Sequence, residues 1–314
     1  LHPKASTEVI GAAYRALVKK YQGDTKKLKL LNEAKEILLD NTRKKSYDEY
    51  KPTGKIVGSY KIIKKIAEGG FGTTYYAEHT TLHVPVCIKH ALNVSALDEE
   101  ILLSEAKAIW DLRHWGIPAI RDIIRMPDGS LALVMSYVPG KTLAQVVEEH
   151  GKIDPEHIAW ITERILNILY YLHLHGVIHG DMKPQNIIIQ AESHTITLVD
   201  YGLSIVRPKP ESKAKGYTPY FAAPEQIEDK TLLPETDLYG LGMSLIFALG
   251  GDVEHIKVPG ETPPEMVKFL KRLIRRDPLQ RPKIWQEENL CETIKDVRQK
   301  DFGRTSSGMK PLNV

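Results

Sequence analysis

Residues 179–186, "HGDMKPQN", follow the apolar pair Val177-Ile178 and run straight into Ile187-Ile188-Ile189. Polar, charged and turn-forming residues hemmed in by apolar ones read as a loop that leads into a buried strand. A chain that carries such a loop needs a sizeable core around it. At 314 residues it has the length for one large domain or two to three small ones.

Composition narrows the class. Net charge is +3, so the charge balance implies neither nucleic acid nor membrane binding. No apolar run approaches the roughly eighteen residues of a membrane span, so none is expected in this chain. Cys87 and Cys291 are too few for a disulfide framework and point to a reducing, cytoplasmic setting.

The chain opens with two helical patterns. In "STEVIGAAYRALVKKY" (6–21) Ile10, Ala13, Tyr14, Leu17, Val18 and Tyr21 fall on one helical face behind a Ser6 or Thr7 cap. A second pattern carries Leu30, Leu31, Ala34, Ile37 and Leu38. Together they predict an antiparallel helical hairpin over 1–50 that must bury one face on something. "KPTGKIVG" (51–58), with Pro52, Gly54 and Gly58, then reads as a linker, bounded at 51–56.

From Tyr60 the pattern turns to antiparallel strands. Gly69, Gly70 and Gly72 sit in a hairpin turn, where backbone amides can approach a phosphate because no Cβ intervenes. Lys89 follows Val86-Cys87-Ile88 on the next strand. A lysine on a buried strand is costly unless paired, and Glu105 in "DEEILLSEAKAIWDLRH" is the expected partner.

Gly69-x-x-Gly72, Lys89, Glu105, "HGDMKPQN", "VDYG" (199–202), "AAPE" (222–225), "DLYGLG" (237–242) and "RDPLQRP" (276–282) occur in this order. The ordered set resembles the eukaryotic-type protein kinase domain over residues 57–285. The resemblance implies an α+β fold of two lobes, a small β-rich one at 57–137 and a helical one at 138–285. A C-terminal helix and flexible tail are expected over 286–314. It implies an ATP- and Mg²⁺-dependent serine/threonine kinase acting on protein hydroxyls, bacterial in style.

The implied roles follow position by position. Asp181 orients or accepts the substrate hydroxyl proton, and Lys183 offsets charge on the γ-phosphate. Asn186 and Asp200 are the Mg²⁺ ligands. Lys89, held by Glu105, grips the α- and β-phosphates beneath Gly69 and Gly72. Ile66, Ile188 and Val199 sandwich adenine, Met135 is the gatekeeper, and backbone groups of Ser136 and Val138 bond the purine edge. Glu225 and Arg281 form a structural ion pair. Thr218 touches Asp181 and Lys183, and Ser212 and Thr218 lie in an activation segment open to autophosphorylation.

Small-molecule kinases also carry His-Gly-Asp loops. Lys183-Pro184, the Ala-Pro-Glu at 223–225 and Thr218 favour the protein kinase; a nucleotide-holding pseudokinase scaffold is the other alternative. Gly180 stands where many family members have an arginine that pairs with a phosphorylated activation segment, so activity is expected without that phosphate. Ala67 and Thr74 also depart from the usual glycine and valine. A literal "DFG" at 301–303 follows no strand pattern, whereas Asp200 follows "TITLV" fourteen positions after Asn186. Asp200 is therefore taken as the metal ligand.

The front segment resembles a J domain: "ASTEVIGAAYRALVKKY" its second helix, "LNEAKEILLDNTRKKSYDEY" its third. Gln22, Gly23 and Asp24 occupy the place of that family's His-Pro-Asp. The departure implies a module for binding a protein partner rather than for stimulating a chaperone. Cys87 and Trp115 are expected to pack in the core or at a helix exit, and His173 to be an ordinary helix-end residue.

Overall fold

Alternation between buried and accessible side chains along Gly72–His79 is the mark of a strand with one face on a core. In the computed structural model, residues 13–14, 17–19, 31–32, 35, 53–69, 72–91, 96–283 and 288–305 are described. The N-terminal helical pair and the J-domain likeness lie mostly outside the described residues, as does the tail beyond 305. Where described, 13–14, 17–19, 31–32 and 35 are helical, and the Tyr14 hydroxyl donates to Asn32 Oδ1 at 2.5 Å.

Six antiparallel strands form the first lobe: β1 (Ile56–Val57), β2 (Tyr60–Gly69), β3 (Gly72–His79), β4 (Pro85–His90), β5 (Ile120–Arg125) and β6 (Leu131–Ser136), ordered β1-β2-β3-β4-β6-β5. Ile56 pairs with Lys61, so the sheet begins inside the stretch read as a linker. The two glycines that suggested a linker serve turns, with positive φ at both Gly54 and Gly58. One sheet face buries Ile62, Tyr75, Ala77, Val86, Ile88 and Val134. Helix α1 (Ala96–Ile109) covers the other, packing Leu102 and Ala106 on Leu131, Leu133 and Met135. β6 is enclosed on both faces, which is why "LALVM" reads as an unbroken apolar run.

The second lobe is mainly helical. A short strand β7 (Lys141–Thr142) leads into α2 (Leu143–His150). Helix α3 (Pro155–Leu174) begins at Asp154, whose carboxylate accepts from the Glu156 amide at 2.8 Å, with Pro155 at its first turn. Beyond α3, Gly176 takes a left-handed φ of 70° and β8 (Val177–Ile178) follows. The loop 179–186 then feeds β9 (Ile187–Gln190), which pairs with β7 and β10 (Thr195–Leu198). β11 (Ile205–Val206) pairs with β8 and is followed by the short helix α4 (Pro224–Ile227).

Helix α5 (Glu235–Ala248) is apolar nearly all round and is buried almost throughout. Its glycines set how closely neighbours approach. A Cβ at Gly240 would fall 2.8 Å from the backbone oxygen of Met182, and one at Gly242 2.6 Å from the Ile274 side chain. The polar loop thus rests directly on α5. Helices α6 (Pro264–Leu273) and α7 (Leu290–Phe302) complete the core.

The "DFG" at 301–303 has a structural task. Asp301 accepts from the backbone amides of Glu265 (3.2 Å) and Met266 (2.8 Å), capping α6, whose own cap position is a proline. Gly303 ends α7 in the left-handed conformation. Trp115 differs from expectation. It is 77% exposed instead of packed, since the core at the exit of α1 is filled by Leu112 and Ile117.

Glu225 and Arg281 meet with both side chains buried, at 2.6 and 2.8 Å. The same guanidinium donates to the carbonyls of Arg275, Arg276 and Glu235, so its donors are satisfied. Removing one partner strands a buried charge, and Arg281→Met is expected to cost about 3–5 kcal/mol. Urea unfolding checks this; a loss below about 1 kcal/mol, the worth of an exposed pair, would show the charges are not buried as described.

Candidate active site

Three elements converge on Lys89. It lies on β4, and its ammonium lies 2.6 Å from Glu105 Oε2 on α1 and 2.7 Å from Asp200 Oδ1. Burial opposes charge on Lys89, but two carboxylates outweigh it and raise the pKa. Burial likewise works against charge on Asp200, and Lys89 holds that carboxyl below its ordinary value. Complete burial pushes Glu105 up despite the same ammonium. Asp200 stands in a left-handed backbone conformation, φ 66°, costly for a residue with a Cβ. The bond to Lys89 helps to hold it there. The Tyr201 amide donates to Glu105 Oε1 at 3.3 Å, tying the segment after β10 to α1.

β3 lies between β2 and the strand that carries Lys89. Gly72 has φ 152°, and a Cβ there would come within 2.2 Å of the His90 carbonyl oxygen. Only glycine lets β3 pass β4 so closely. Gly69 ends β2 opposite Gly72, and Ile66 lies on β2, 46% exposed. Met135 is buried at the end of β6. The Ser136 amide already donates to the Ala119 carbonyl at 2.8 Å, so a ligand contact from this residue falls to its own carbonyl. Ile188 and Val199 are half-buried on and beside the β9–β10 hairpin.

The 179–186 loop forms a second, denser cluster. Asp181 Oδ2 lies 2.7 Å from Lys183 Nζ, and Asp181 Oδ1 accepts from the Thr218 hydroxyl at 2.7 Å. Lys183 also donates to Thr218 Oγ1 at 3.0 Å. The amide nitrogen of Asn186 donates to the Asp181 backbone carbonyl (2.8 Å) and to Oδ2 (3.1 Å). The structure therefore brings Asp181, Lys183, Asn186 and Thr218 into one cluster and Lys89, Glu105 and Asp200 into another. Ser212 stands apart, its hydroxyl accepting from the Lys209 amide at 2.8 Å in a local turn.

The support beneath the loop was not read from sequence. Asp237, buried at the start of α5, accepts from the His179 amide (2.9 Å), the Gly180 amide (2.8 Å) and His173 Nε2 (2.8 Å). His173 is thus buried, not an idle helix-end residue: α3 turns it inward on the same face as Leu169 and Leu172. The Gln226 amide donates to the Gly180 carbonyl at 2.8 Å. The ring of Tyr201 packs edge-on to His179, 4.9 Å between centroids. The only sequence signal was an aspartate opening an otherwise apolar helix.

Residues 60–256 match the family of the protein kinase domain. Serine/threonine-protein kinase PAK mbt of Drosophila melanogaster is 29% identical over 240 residues, covering 70% of this chain and 37% of that protein. Serine/threonine-protein kinase pkn3 of Myxococcus xanthus is 27% identical over 271 residues, 75% of this chain and 49% of the relative. Probable serine/threonine-protein kinase PknB of Lactococcus lactis is 27% identical over 208 residues, 64% and 33% respectively. The chain spans less than half the length of these relatives.

Burial pushes the Asp237 carboxyl up, but His173, the nearby His179 and the Gly180 amide more than offset it and hold it below 3.8. A depressed carboxyl stabilises the fold above its ordinary value, and that contribution drains as pH falls through the lower folded value. Asp237→Asn is expected to cost about 3 kcal/mol near neutral pH. The deficit against wild type should narrow below about pH 4 in urea titrations. A deficit that does not change with pH would refute the charged role.

Proposed function

The chain belongs to the protein kinase family, and from that premise we propose that it transfers the γ-phosphate of ATP to serine and threonine hydroxyls of proteins. The observation that carries this reading is the closed triangle of Asp181, Lys183 and Thr218, with every edge between 2.7 and 3.0 Å. It sets a carboxylate oxygen and an ammonium side by side at the mouth of the loop. Asp181 orients the incoming hydroxyl and accepts its proton as the oxygen attacks. Lys183 offsets charge that develops on the transferred group.

Lys89 is held by its two carboxylates where it can donate to α- and β-phosphate oxygens, with Gly69 and Gly72 paired at the facing ends of β2 and β3. Ile66, Ile188 and Val199 supply apolar surface for adenine, with the Ser136 carbonyl and the Val138 amide on its polar edge. The donor set fits Mg²⁺: two hard oxygens, from Asn186 and Asp200, with the remaining positions left for phosphates and water. Bound there, Mg²⁺ would neutralise charge on the phosphates.

Protein rather than small-molecule substrates are supported by the ordered segment from Asp200 to Glu225, which places Thr218 on Asp181. The names of the serine/threonine relatives agree. The 1–50 segment is proposed to bind a protein partner. With Mg²⁺-ATP and a generic basic protein, wild type should yield phosphoserine or phosphothreonine by mass spectrometry. Asp181→Ala should lower the rate about 10²- to 10⁴-fold. Nucleotide binding without any protein phosphorylation by wild type would overturn the proposal.

A further inference from the structure

Gly180 cannot supply the cation that a phosphorylated activation segment would need. Its φ is 75°, and a Cβ there would sit 2.9 Å from the Leu203 carbonyl oxygen. The segment is nonetheless tied down along its length. The Arg207 amide donates to the Gly176 carbonyl at 2.6 Å, and the Leu232 amide to that of Ser212 at 3.0 Å. The Thr231 hydroxyl donates to the Pro210 carbonyl at 2.5 Å, and Lys213 pairs with Asp229 at 2.6 Å. These bonds fasten it to the helical lobe. Beyond the contacts of Asp200 and Tyr201 at its start, the segment also reaches the other lobe through Lys215, whose Nζ donates to Ser104 Oγ on α1 at 2.6 Å and to the Ser204 carbonyl at 2.6 Å.

Ser104 is the neighbour of Glu105; burial lowers the Lys215 pKa, and Glu100, one turn earlier on α1, offsets part of that. A single lysine therefore joins the outgoing arm of the segment, its incoming arm and the helix that carries Glu105. We propose that Lys215 is a positioning residue that holds α1 inward, and with it Glu105 on Lys89, without phosphate on the activation segment. The cation comes from the segment and the acceptor from the helix. This rests on the kinase reading above.

The test uses the full chain, treated with phosphatase and confirmed phosphate-free by mass. Lys215→Met should lower kcat about tenfold, the scale for one charge-assisted hydrogen bond. KM for the basic protein should not change. Lys215→Arg should recover activity to within about threefold. Ser104→Ala should reproduce the loss, and the double variant should be no worse than either single one. Hydrogen exchange supplies a readout independent of activity: amides of 96–109 should exchange faster in Lys215→Met, while those of α3 should not.

Unchanged kcat and unchanged α1 exchange in Lys215→Met, or additive losses in the double variant, would overturn the proposal. If Lys215→Met does not fold, Ser104→Ala decides by the same two readouts, since alanine is well tolerated on a helix. A wild type that transfers no phosphate would sink the kinase reading instead, and the exchange comparison would still judge the clamp.

Discussion

A lysine ammonium is tolerated inside a protein only where carboxylates meet it, and that demand at Lys89 organises much of this structure. Its partners come from two other places in the chain, Glu105 on α1 and Asp200 after β10. Satisfying both draws a helix of one lobe and a loop of the other onto a single strand. Asp200 accepts an awkward backbone conformation in the process, and Tyr201 is brought within reach of Glu105. The two lobes thus share a charge, and their relative placement and the geometry of the site are the same constraint.

Beneath this lies a second fixed point. Asp237 spends its carboxylate on two successive loop amides and an inward-facing histidine. Because Gly240 lets the loop settle onto α5, the loop is held by backbone contact below and hydrogen bonds at its start. Asp181 and Lys183 can then be short of freedom without being part of a regular element, while Asn186 closes the one-turn 3₁₀ helix Pro184–Asn186. A rigid buried helix supports a polar loop that by composition alone would be mobile.

Much of this was legible in the order of short motifs. The pairing of Lys89 with Glu105 followed from chemistry, because a strand lysine among Val86, Cys87 and Ile88 needs a counter-charge. What escaped was carried by tertiary contact without a local pattern. His173 and Asp237 are 64 positions apart, and nothing in a helix-ending "YLHLHG" says which histidine faces inward. Trp115 looked like a packing residue by type and stands in solvent. Asp301 belonged to a motif-like triplet, yet its task is set by α6, which lacks a side-chain cap of its own. Gly54 and Gly58 read as marks of a linker, and the structure uses both in turns at the edge of the sheet.

The way α6 and α7 complete the core bears on where this fold ends as a cooperative unit. The match to the protein kinase family ends at residue 256, before the "RDPLQRP" stretch at 276–282. Yet Met266, Phe269 and Leu270, with Leu290, Ile294 and Val297, belong to the same apolar core as α3 and α5. Arg304 reaches back to Glu156 at 2.6 Å, closing the end of α7 onto the start of α3. The matched stretch and the cohesive unit therefore have different borders. A chain trimmed to residues 60–256 would keep every residue of the two clusters and lose the surface against which they are held, so it would be an aggregation-prone fragment and not a minimal enzyme.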